Sequence, residues 1–227
     1  MTISGQDVIN RIKQNVTCDW NPQTVDTIKA GNATQEITGI ATTFMANYAM
    51  LETAIDKACN LIITHEPTFY NHLDSKDLLE NDSVYQAKQD LIDKHNLIVF
   101  RFHDHWHMTD PDGIYVGMID KVGWGGAILD GRGPVFDLKA ETLAQITADL
   151  KITFPDAIIR VVGDSDLKVD KTALLVGAPG PARHIKFLQR PDINLIVIGE
   201  VPEWETIAYV RDASEAGLQK EMIILRH

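Results

Sequence analysis

The sequence is short of cysteine and of long apolar runs. Only Cys18 and Cys59 occur among its 227 residues, which is too few for the disulfide framework of a small secreted fold. The first residues lack the basic start and apolar core of a signal peptide, and no apolar run approaches the ~20 residues of a membrane-spanning helix. These absences predict a cytoplasmic protein.

The sequence is also short of positive charge. It has 21 lysines and arginines against 32 aspartates and glutamates, which gives a formal net charge of −11, and it contains no basic block. This balance disfavours nucleic acids and anionic membranes as partners, because both carry dense negative charge. A surface of this kind needs a bound cation in order to attract phosphate.

Strand-like apolar runs alternate with helix-like segments along the chain. Strands are predicted over residues 37–45, 61–64, 97–102, 135–138, 157–162, 171–176, 194–200 and 221–227. Helices are predicted over residues 4–16, 47–59, 77–94, 114–122, 140–150, 182–188 and 203–216. The length of the strand-helix-strand connections implies parallel pairing, so the expected fold class is α/β, with two mixed or parallel halves.

A glycine-rich stretch at residues 123–134 marks the predicted boundary between the halves. The first half, residues 1–125, carries the sequences THEP and HDHWH, and the second half, residues 126–227, carries a Gly-Glu pair and the terminal histidine. The halves could instead form one intertwined domain.

Histidine and carboxylate side chains follow two of the predicted strands. His65 and Glu66 come directly after the strand at 61–64, where Pro67 ends regular pairing, and the strand at 97–102 runs into HDHWH. Open α/β sheets place their ligand chemistry at the carboxyl ends of strands. If the two strands are neighbours, the two groups of side chains converge on one spot.

Imidazoles and carboxylates together suit zinc, iron(II) or manganese, whereas a thiolate site would need cysteines that these stretches lack. His65 and Glu66 leave their strand in different directions, which suits a site wide enough for two ions about 3.5–4 Å apart. A divalent metal centre is therefore the predicted site.

The histidines of HDHWH alternate with other residues. In an extended chain His103, His105 and His107 would share one face, with Asp104 on the other. A lone histidine is more often a hydrogen-bonded structural side chain, but three at this spacing favour a metal site. Three further histidines have no companions and are interpreted as structural: His72, His95 and His184.

The sequence GAPGP at residues 177–181 admits two interpretations. A glycine-rich turn between a strand and a helix can bind phosphate through its backbone N–H groups. This one lacks the lysine and the hydroxyl of a nucleotide-binding P-loop. A tight turn that needs small residues is therefore favoured.

Several short motifs, in the same order along the chain, resemble those of the NIF-three-like dinuclear metal-centre proteins, often named GTP cyclohydrolase I type 2 homologues. IITHEP at 62–67 is similar to the LITHHP signature of that family, and the other matching segments are residues 38–40, 198–201 and 215–227. The resemblance implies two α/β halves around a central metal-binding cleft, a pair of divalent metals in that cleft, and a toroidal hexamer built from trimers.

The ligand set that the resemblance implies is altered in this chain. His65 matches the first histidine of the family's pair, and Glu66 stands where the second is expected. His103 aligns with the histidine that opens an HxxxD element, and His107 replaces its bridging aspartate. His227 aligns with a late histidine ligand, and the last ligand, a glutamate, would fall four residues past it.

A histidine cannot bridge two ions as a carboxylate does. Asp104 or Asp110 could take over that role, and otherwise the protein would hold one metal or a different one. The resemblance implies two ions per chain, and the ligand types permit zinc, iron, manganese or nickel.

The first functional hypothesis is a metal-dependent hydrolase that acts on a small phosphorylated or nucleobase-type substrate. A divalent centre suits such chemistry because it lowers the pKa of water and neutralises charge on an oxygen under attack. The candidate metal ligands are His65, Glu66, His103, Asp104, His107 and His227. The candidate catalytic groups are His103, as an acid or base, and Glu200, as a general base at a strand end.

The competing hypothesis is a non-catalytic metal-binding scaffold or regulator, in which ring assembly presents a partner surface and the metal serves folding or sensing. The altered ligands favour this scaffold, whereas the unspent titratable groups Asp104, His105 and Asp110 favour the enzyme. A third possibility is an α/β domain whose histidines serve only its structure.

Overall fold

The computed structural model describes residues 2–129, 134–139 and 141–226. The chain divides into two compact units, Met1–Gly113 and Ile114–His227. Each unit contains a mixed sheet with helices, which confirms the predicted α/β class. The glycine-rich stretch from residue 123 lies within the second unit, and its residues 130–133 fall outside the described part of the chain.

The first unit contains a four-stranded sheet in the order β1-β4-β3-β2. Its strands are β1, Ile28–Ala30, β2, Ile40–Thr43, β3, Leu61–Thr64, and β4, Ile98–Arg101. β2, β3 and β4 are parallel, and β1 pairs antiparallel with β4. The register places Thr64 opposite Arg101, so β3 and β4 end level at the same edge of the sheet.

Side chains of β3 and β4 alternate between two apolar clusters. Ile62 and Val99 belong to one cluster, and Leu61 and Ile98 belong to the other. Successive strand residues point to opposite faces, so the sheet is covered on both sides. This is why both strands read as continuous apolar runs in the sequence.

Four helices belong to the first unit: α1, Gly5–Asn15, α2, Tyr48–Asp56, α3, Ser83–Lys94, and α4, Asp104–Met108. Ser4 and Asp7 form a capping box at the start of α1. The predicted helix over 77–94 is too long at its N-terminal end, because the side chain of Asp82 accepts a hydrogen bond from the backbone N–H of Tyr85 and starts α3 at Ser83.

The second unit contains a five-stranded sheet in the order β5-β7-β8-β9-β6. Its strands are β5, Val135–Phe136, β6, Ile158–Val162, β7, Thr172–Leu175, β8, Leu195–Ile198, and β9, Glu221–Arg226. β7, β8 and β9 are parallel, whereas the two edge strands β5 and β6 are antiparallel to their neighbours. The fully buried β7 and β8 form the middle of the core.

The remaining helices are α5 (Gly113–Val122), α6 (Leu143–Thr153), α7 (Pro181–Leu188) and α8 (Ala208–Glu215). Helix α5 starts at the division between the units. A π-helical turn, Glu203–Ile207, precedes α8. In the GAPGP turn, Gly177 has φ +73°, and a Cβ at Gly199 would lie 2.6 Å from the Gly177 carbonyl oxygen. This close approach of two backbones supports the interpretation of GAPGP as a tight turn.

Cys18 and Cys59 are both free thiols. Within the described residues, no helix combines the length and the apolar character that crossing a membrane requires.

Candidate metal centre

The candidate site lies where β3 and β4 end. His65 follows β3, His103 follows β4 after one intervening residue, and the parallel pairing of the two strands brings the two histidines to one edge. Their ring centroids are 4.6 Å apart. The predicted convergence of the two groups of side chains is confirmed.

HDHWH is helical, so the prediction that its three histidines share one face of an extended chain is wrong. The N–H of His107 donates to the carbonyl oxygen of His103 at 3.1 Å, which places these two side chains on one side of α4. His105 lies on the other side, where it is fully buried, stacks on Trp20 at 3.7 Å between ring centroids, and accepts a hydrogen bond from the N–H of Asn21 at 2.9 Å.

Asp26, distant in sequence, is the reason why α4 begins where it does. Its carboxylate accepts hydrogen bonds from the backbone N–H groups of His103, Asp104 and His105 at 2.6, 2.9 and 2.9 Å. It also lies 2.7 Å from Nδ1 of His105. These contacts satisfy the N–H groups at the start of the helix, which otherwise have no partner.

His65, His103 and His107 form one compact group. One ring nitrogen from each can be chosen so that all three atoms lie within 4.8 Å of one another. Ring centroids are 5.0 Å apart for His65 and His107 and 4.9 Å apart for His103 and His107. Three imidazole nitrogens at this spacing suit a divalent ion with about 2.0–2.1 Å metal–nitrogen bonds.

Two rings of this group have a carboxylate partner on Nδ1. Nδ1 of His103 lies 3.0 Å from Oδ1 of Asp104, and Nδ1 of His107 lies 2.9 Å from Oδ2 of Asp112. A carboxylate on one ring nitrogen fixes the tautomer and orients the second nitrogen toward a metal. This chemistry of the donor set shows that the residues fit a divalent ion.

His65 is held in the form that binds metals. Burial, followed by the neighbouring imidazoles of His103 and His107, lowers the pKa of His65 to about 4, against an opposing hydrogen bond with the backbone of Phe102. The ring is therefore neutral near pH 7 and offers a lone pair without first losing a proton.

Asp104 contacts the ring of His103 and is not one of the three grouped residues. Burial alone would raise the pKa of its carboxyl group, but hydrogen bonds with the His103 side chain, the Thr24 hydroxyl and the Val25 N–H lower that pKa to about 2. The Thr24 hydroxyl donates at 2.8 Å and the Val25 N–H at 3.1 Å. Asp104 thus remains ionised and orients His103.

Glu66 lies beside Arg101, and it is not one of the three grouped residues. Its Oε2 is 4.0 Å from Nη2 of Arg101, which is fully buried. Arg101 also donates from Nε to the carbonyl oxygen of His65 at 3.1 Å and from Nη1 to that of His72 at 2.5 Å. This arginine therefore fixes the backbone that carries His65. A ligand role for Glu66 stays a prediction.

The two remaining predicted site residues lie elsewhere in the chain. Glu200 belongs to the second unit, where it lines a cleft next to the π-helical turn. His227 lies outside the described residues, so its role stays a prediction.

Sequence reasoning missed several residues around the three histidines. His72, interpreted as a histidine without companions, has its ring centroid 6.1 Å from that of His103. Phe44, at the end of β2, stacks on His65 with 5.4 Å between ring centroids. Asp112 could have been suspected from its position five residues after His107, whereas no local pattern singles out Asp26 or Arg101.

Comparisons with known proteins identify the family and the fold of the chain. A sequence profile of the family described as Duf34/NIF3 (NGG1p interacting factor 3) matches residues 4–227. A protein named GTP cyclohydrolase 1 type 2 homolog, from Clostridium acetobutylicum, is 24% identical over 202 residues, which cover 84% of this chain and 72% of that protein.

Solved structures share the fold. The Bacillus cereus protein related to NIF3 gives a TM-score of 0.75 at 13% sequence identity, covering 100% of this chain and 88% of that one. The Staphylococcus aureus hypothetical protein SA1388 gives 0.72 at 16% identity, covering 100% and 87%.

The fold and the histidine group define a two-unit α/β protein with a potential metal site. The profile match spans nearly the whole chain, so the protein belongs to the Duf34/NIF3 family. The family that the sequence motifs predicted is thereby confirmed.

Proposed function

We propose that the protein is a divalent-metal-dependent hydrolase that uses His65, His103 and His107 to hold the ion. The observation that carries this proposal is the convergence of three imidazoles, two of which are oriented by a carboxylate on their other nitrogen. Three histidines that leave a coordination position open are a common ligand set of catalytic zinc, whereas structural zinc sites are closed by four protein ligands.

The described residues supply one complete set of three ligands, which supports one ion per chain. A second ion would need ligands such as Glu66, Asp104 or His227. Glu66 faces Arg101, and Asp104 is engaged by His103 and Thr24. A second ion would therefore have to share these carboxylates with their present partners.

When bound, a divalent ion supplies a Lewis acid that polarises an oxygen under attack and lowers the pKa of water toward neutrality. The protein's own groups orient the site: Asp104 holds His103, Asp112 holds His107, and Arg101 holds the backbone of His65. Glu200 stays a candidate general base.

The proposed substrate is a small phosphorylated or nucleobase-type molecule. Phe44 is 42% exposed and stacks on His65, so the surroundings of the metal site include an aromatic side chain, which is compatible with a planar ring as substrate. The name of the Clostridium acetobutylicum relative, GTP cyclohydrolase 1 type 2 homolog, is compatible with such a ring.

Metal content and hydrolysis together test this function. We expect untagged wild-type protein to carry about one divalent ion per chain, His65→Ala to lose it, and the control His95→Ala to keep it, since His95 caps α3 away from the group. Hydrolysis of p-nitrophenyl phosphate or GTP should stop on chelation and in His65→Ala. Activity that is indifferent to both changes would refute the metal-dependent mechanism.

A non-catalytic scaffold is the second candidate, and the pairing of Glu66 with Arg101 favours it, because this ion pair competes with a ligand role for Glu66. The scaffold predicts that metal is bound and raises the melting temperature, but that no substrate is turned over.

We also propose a homohexamer, which light scattering should detect as six times the 25.3 kDa chain mass. A monomeric mass would contradict it.

A further inference from the structure

The second unit contains a cleft of about 570 Å³ that none of the three grouped histidines lines. It lies at the carboxyl ends of the parallel strands β8 and β9, and the turn after β7 forms part of its wall. Ligands of open α/β sheets bind at this end of the strands, and the volume falls within the range of small-molecule sites.

A buried histidine lies in the wall of this cleft. His184 is fully buried, and its Nδ1 is 3.0 Å from Oγ1 of Thr206. Its Nε2 is also buried and has no hydrogen-bond partner among the described residues. Buried polar atoms in folded proteins are nearly always paired, so this nitrogen points to a partner that binds in the cleft.

The histidine is neutral, which limits what that partner can be. Burial, followed by the charge of Arg183, lowers the pKa of His184 to about 4. A neutral imidazole donates a hydrogen bond from one nitrogen and accepts one at the other. If Nδ1 donates to the Thr206 hydroxyl, Nε2 is an acceptor; if Nδ1 accepts from that hydroxyl, Nε2 is a donor. A ligand edge with both a ring nitrogen and an N–H group would match either tautomer.

An exposed tryptophan lies on the same cleft. Trp204 is 79% exposed and belongs to the π-helical turn, whose residue Glu205 has non-helical dihedral angles of φ −103° and ψ −112°. Thr206 and Ile207 of the same turn are buried, so the turn is anchored beneath the tryptophan. An exposed indole face favours stacking with a planar ring.

The charges of the cleft disfavour an anion as its ligand. Three glutamates and two arginines line it, and one of these arginines, Arg160, is paired with Glu203. Arg226 remains together with Glu200 and Glu205, so the lining keeps an excess of one carboxylate, and carboxylates accept hydrogen bonds. Carboxylates beside an aromatic face match an uncharged ring that carries an amino group.

We propose that this cleft binds an uncharged, amino-substituted heteroaromatic molecule. The ring stacks on Trp204, its amino group donates to Glu200 or Glu205, and its edge pairs with Nε2 of His184. All residues that line the cleft belong to the second unit.

Calorimetric titration with adenine, in the presence of chelator so that the metal site is silent, tests the assignment. Adenine should bind wild-type protein and the control Ile152→Ala, whose side chain is equally exposed, at 79%, but lies on α6 outside the cleft. Trp204→Ala should weaken binding by about tenfold or more, the usual effect of losing one stacking partner.

His184→Leu removes the unpaired nitrogen and should also weaken binding of adenine. If this core variant does not fold, Trp204→Ala keeps the proposal testable, because its side chain is mostly exposed. Indole, which stacks but lacks the amino group and the ring acceptor, should bind more weakly than adenine. Absence of adenine binding up to millimolar concentration, equal binding to Trp204→Ala, or displacement of adenine by inorganic phosphate would overturn the proposal.

Discussion

At the scale of single residues, the charge of the three ligands matters most. His65 is neutral near pH 7, and imidazole ligands carry no negative charge, so they would leave the full charge of a divalent ion uncompensated. The nearby carboxylates Asp104 and Asp112 hold the far side of the rings. Such a centre attracts anionic substrate groups more strongly than one that contains bridging carboxylates, which suits a protein whose net charge is −11.

Asp112 gives a prediction at this scale. We expect Asp112→Asn to weaken binding of a divalent ion by about 10- to 100-fold, the usual effect of losing a carboxylate behind a ligating histidine, because the 2.9 Å contact with Nδ1 of His107 would be altered. Titration with zinc against a competing chelator measures this. The control Asp93→Asn changes an exposed carboxylate on α3, and an equal loss of affinity in both variants would refute the orienting role.

Glu221 gives a second prediction, concerning pH. Burial raises the pKa of this carboxyl group to about 7. The hydrogen bond from the N–H of Asp164 lowers this pKa, and the negative charge of Asp164 raises it. The folded protein therefore keeps the proton between pH 4.5 and 7 while the unfolded chain releases it, so this residue makes the protein less stable as pH rises through that window.

Replacing Glu221 by glutamine should remove that loss. Relative to wild type, Glu221→Gln should gain on the order of 3 kcal/mol in the free energy of unfolding between pH 4.5 and 7, which corresponds to about two and a half pKa units. Urea unfolding at a series of pH values measures it, with Glu215→Gln, at an exposed position of α8, as control. A constant difference between Glu221→Gln and wild type would contradict the assigned burial effect.

At the scale of secondary structure, α4 depends on Asp26. Asp26→Asn should weaken metal binding although Asp26 touches none of the ring nitrogens of the three grouped histidines, because an amide cannot accept all four hydrogen bonds that the carboxylate accepts. We also expect a loss of about 3 kcal/mol in the free energy of unfolding, as for other buried charged hydrogen-bond networks.

Zinc titration and urea unfolding measure these two effects of Asp26→Asn. Asp19→Asn, in the same connection between α1 and β1 but exposed, is the matched control. Metal affinity that survives in Asp26→Asn would mean that α4 holds its shape without the cap.

The same helix shows what the sequence could and could not predict. The apolar runs predicted β3 and β4, because buried parallel strands are encoded locally. The convergence of His65 with His103 was predicted on the condition that the two strands are neighbours, and their parallel pairing meets that condition. The alternation in HDHWH suggested an extended chain, and the structure has a helix there instead. The deciding residue, Asp26, lies 77 positions before His103, and no local pattern reports contacts over such a distance.

In the second unit, the strand positions were predicted but the local form of residues 203–207 was not. Their sequence, EWETI, reads as the first turn of a helix, whereas the chain forms a π-helical turn with a kink at Glu205. Burial of Thr206 against His184 sets this geometry. Tertiary contacts of this kind override the helix propensity of a short segment.

At the scale of the whole molecule, the metal should act on one unit only. All three grouped histidines belong to the unit Met1–Gly113. A divalent ion at 100 times its dissociation constant should therefore increase the free energy of unfolding of that unit by about 2.7 kcal/mol, and its unfolding temperature should rise.

Hydrogen exchange with and without zinc would separate the two units. Protection should rise in the amides of β3, β4 and α4 and stay constant in β7 and β8. A uniform rise over both sheets would contradict a site confined to the first unit.

The pairing of Thr64 with Arg101 also limits where residues can be inserted into the chain without displacing the histidine group. Displacing β4 by one residue along β3 would move its end by about 3.3 Å and turn Arg101 to the opposite face of the sheet. An insertion between α3 and β4 would thus carry His103 and His107 away from His65 in a single step. By contrast, Leu78 lies in a connection outside the strands and is 96% exposed, so residues added beside it would leave the three imidazoles in place.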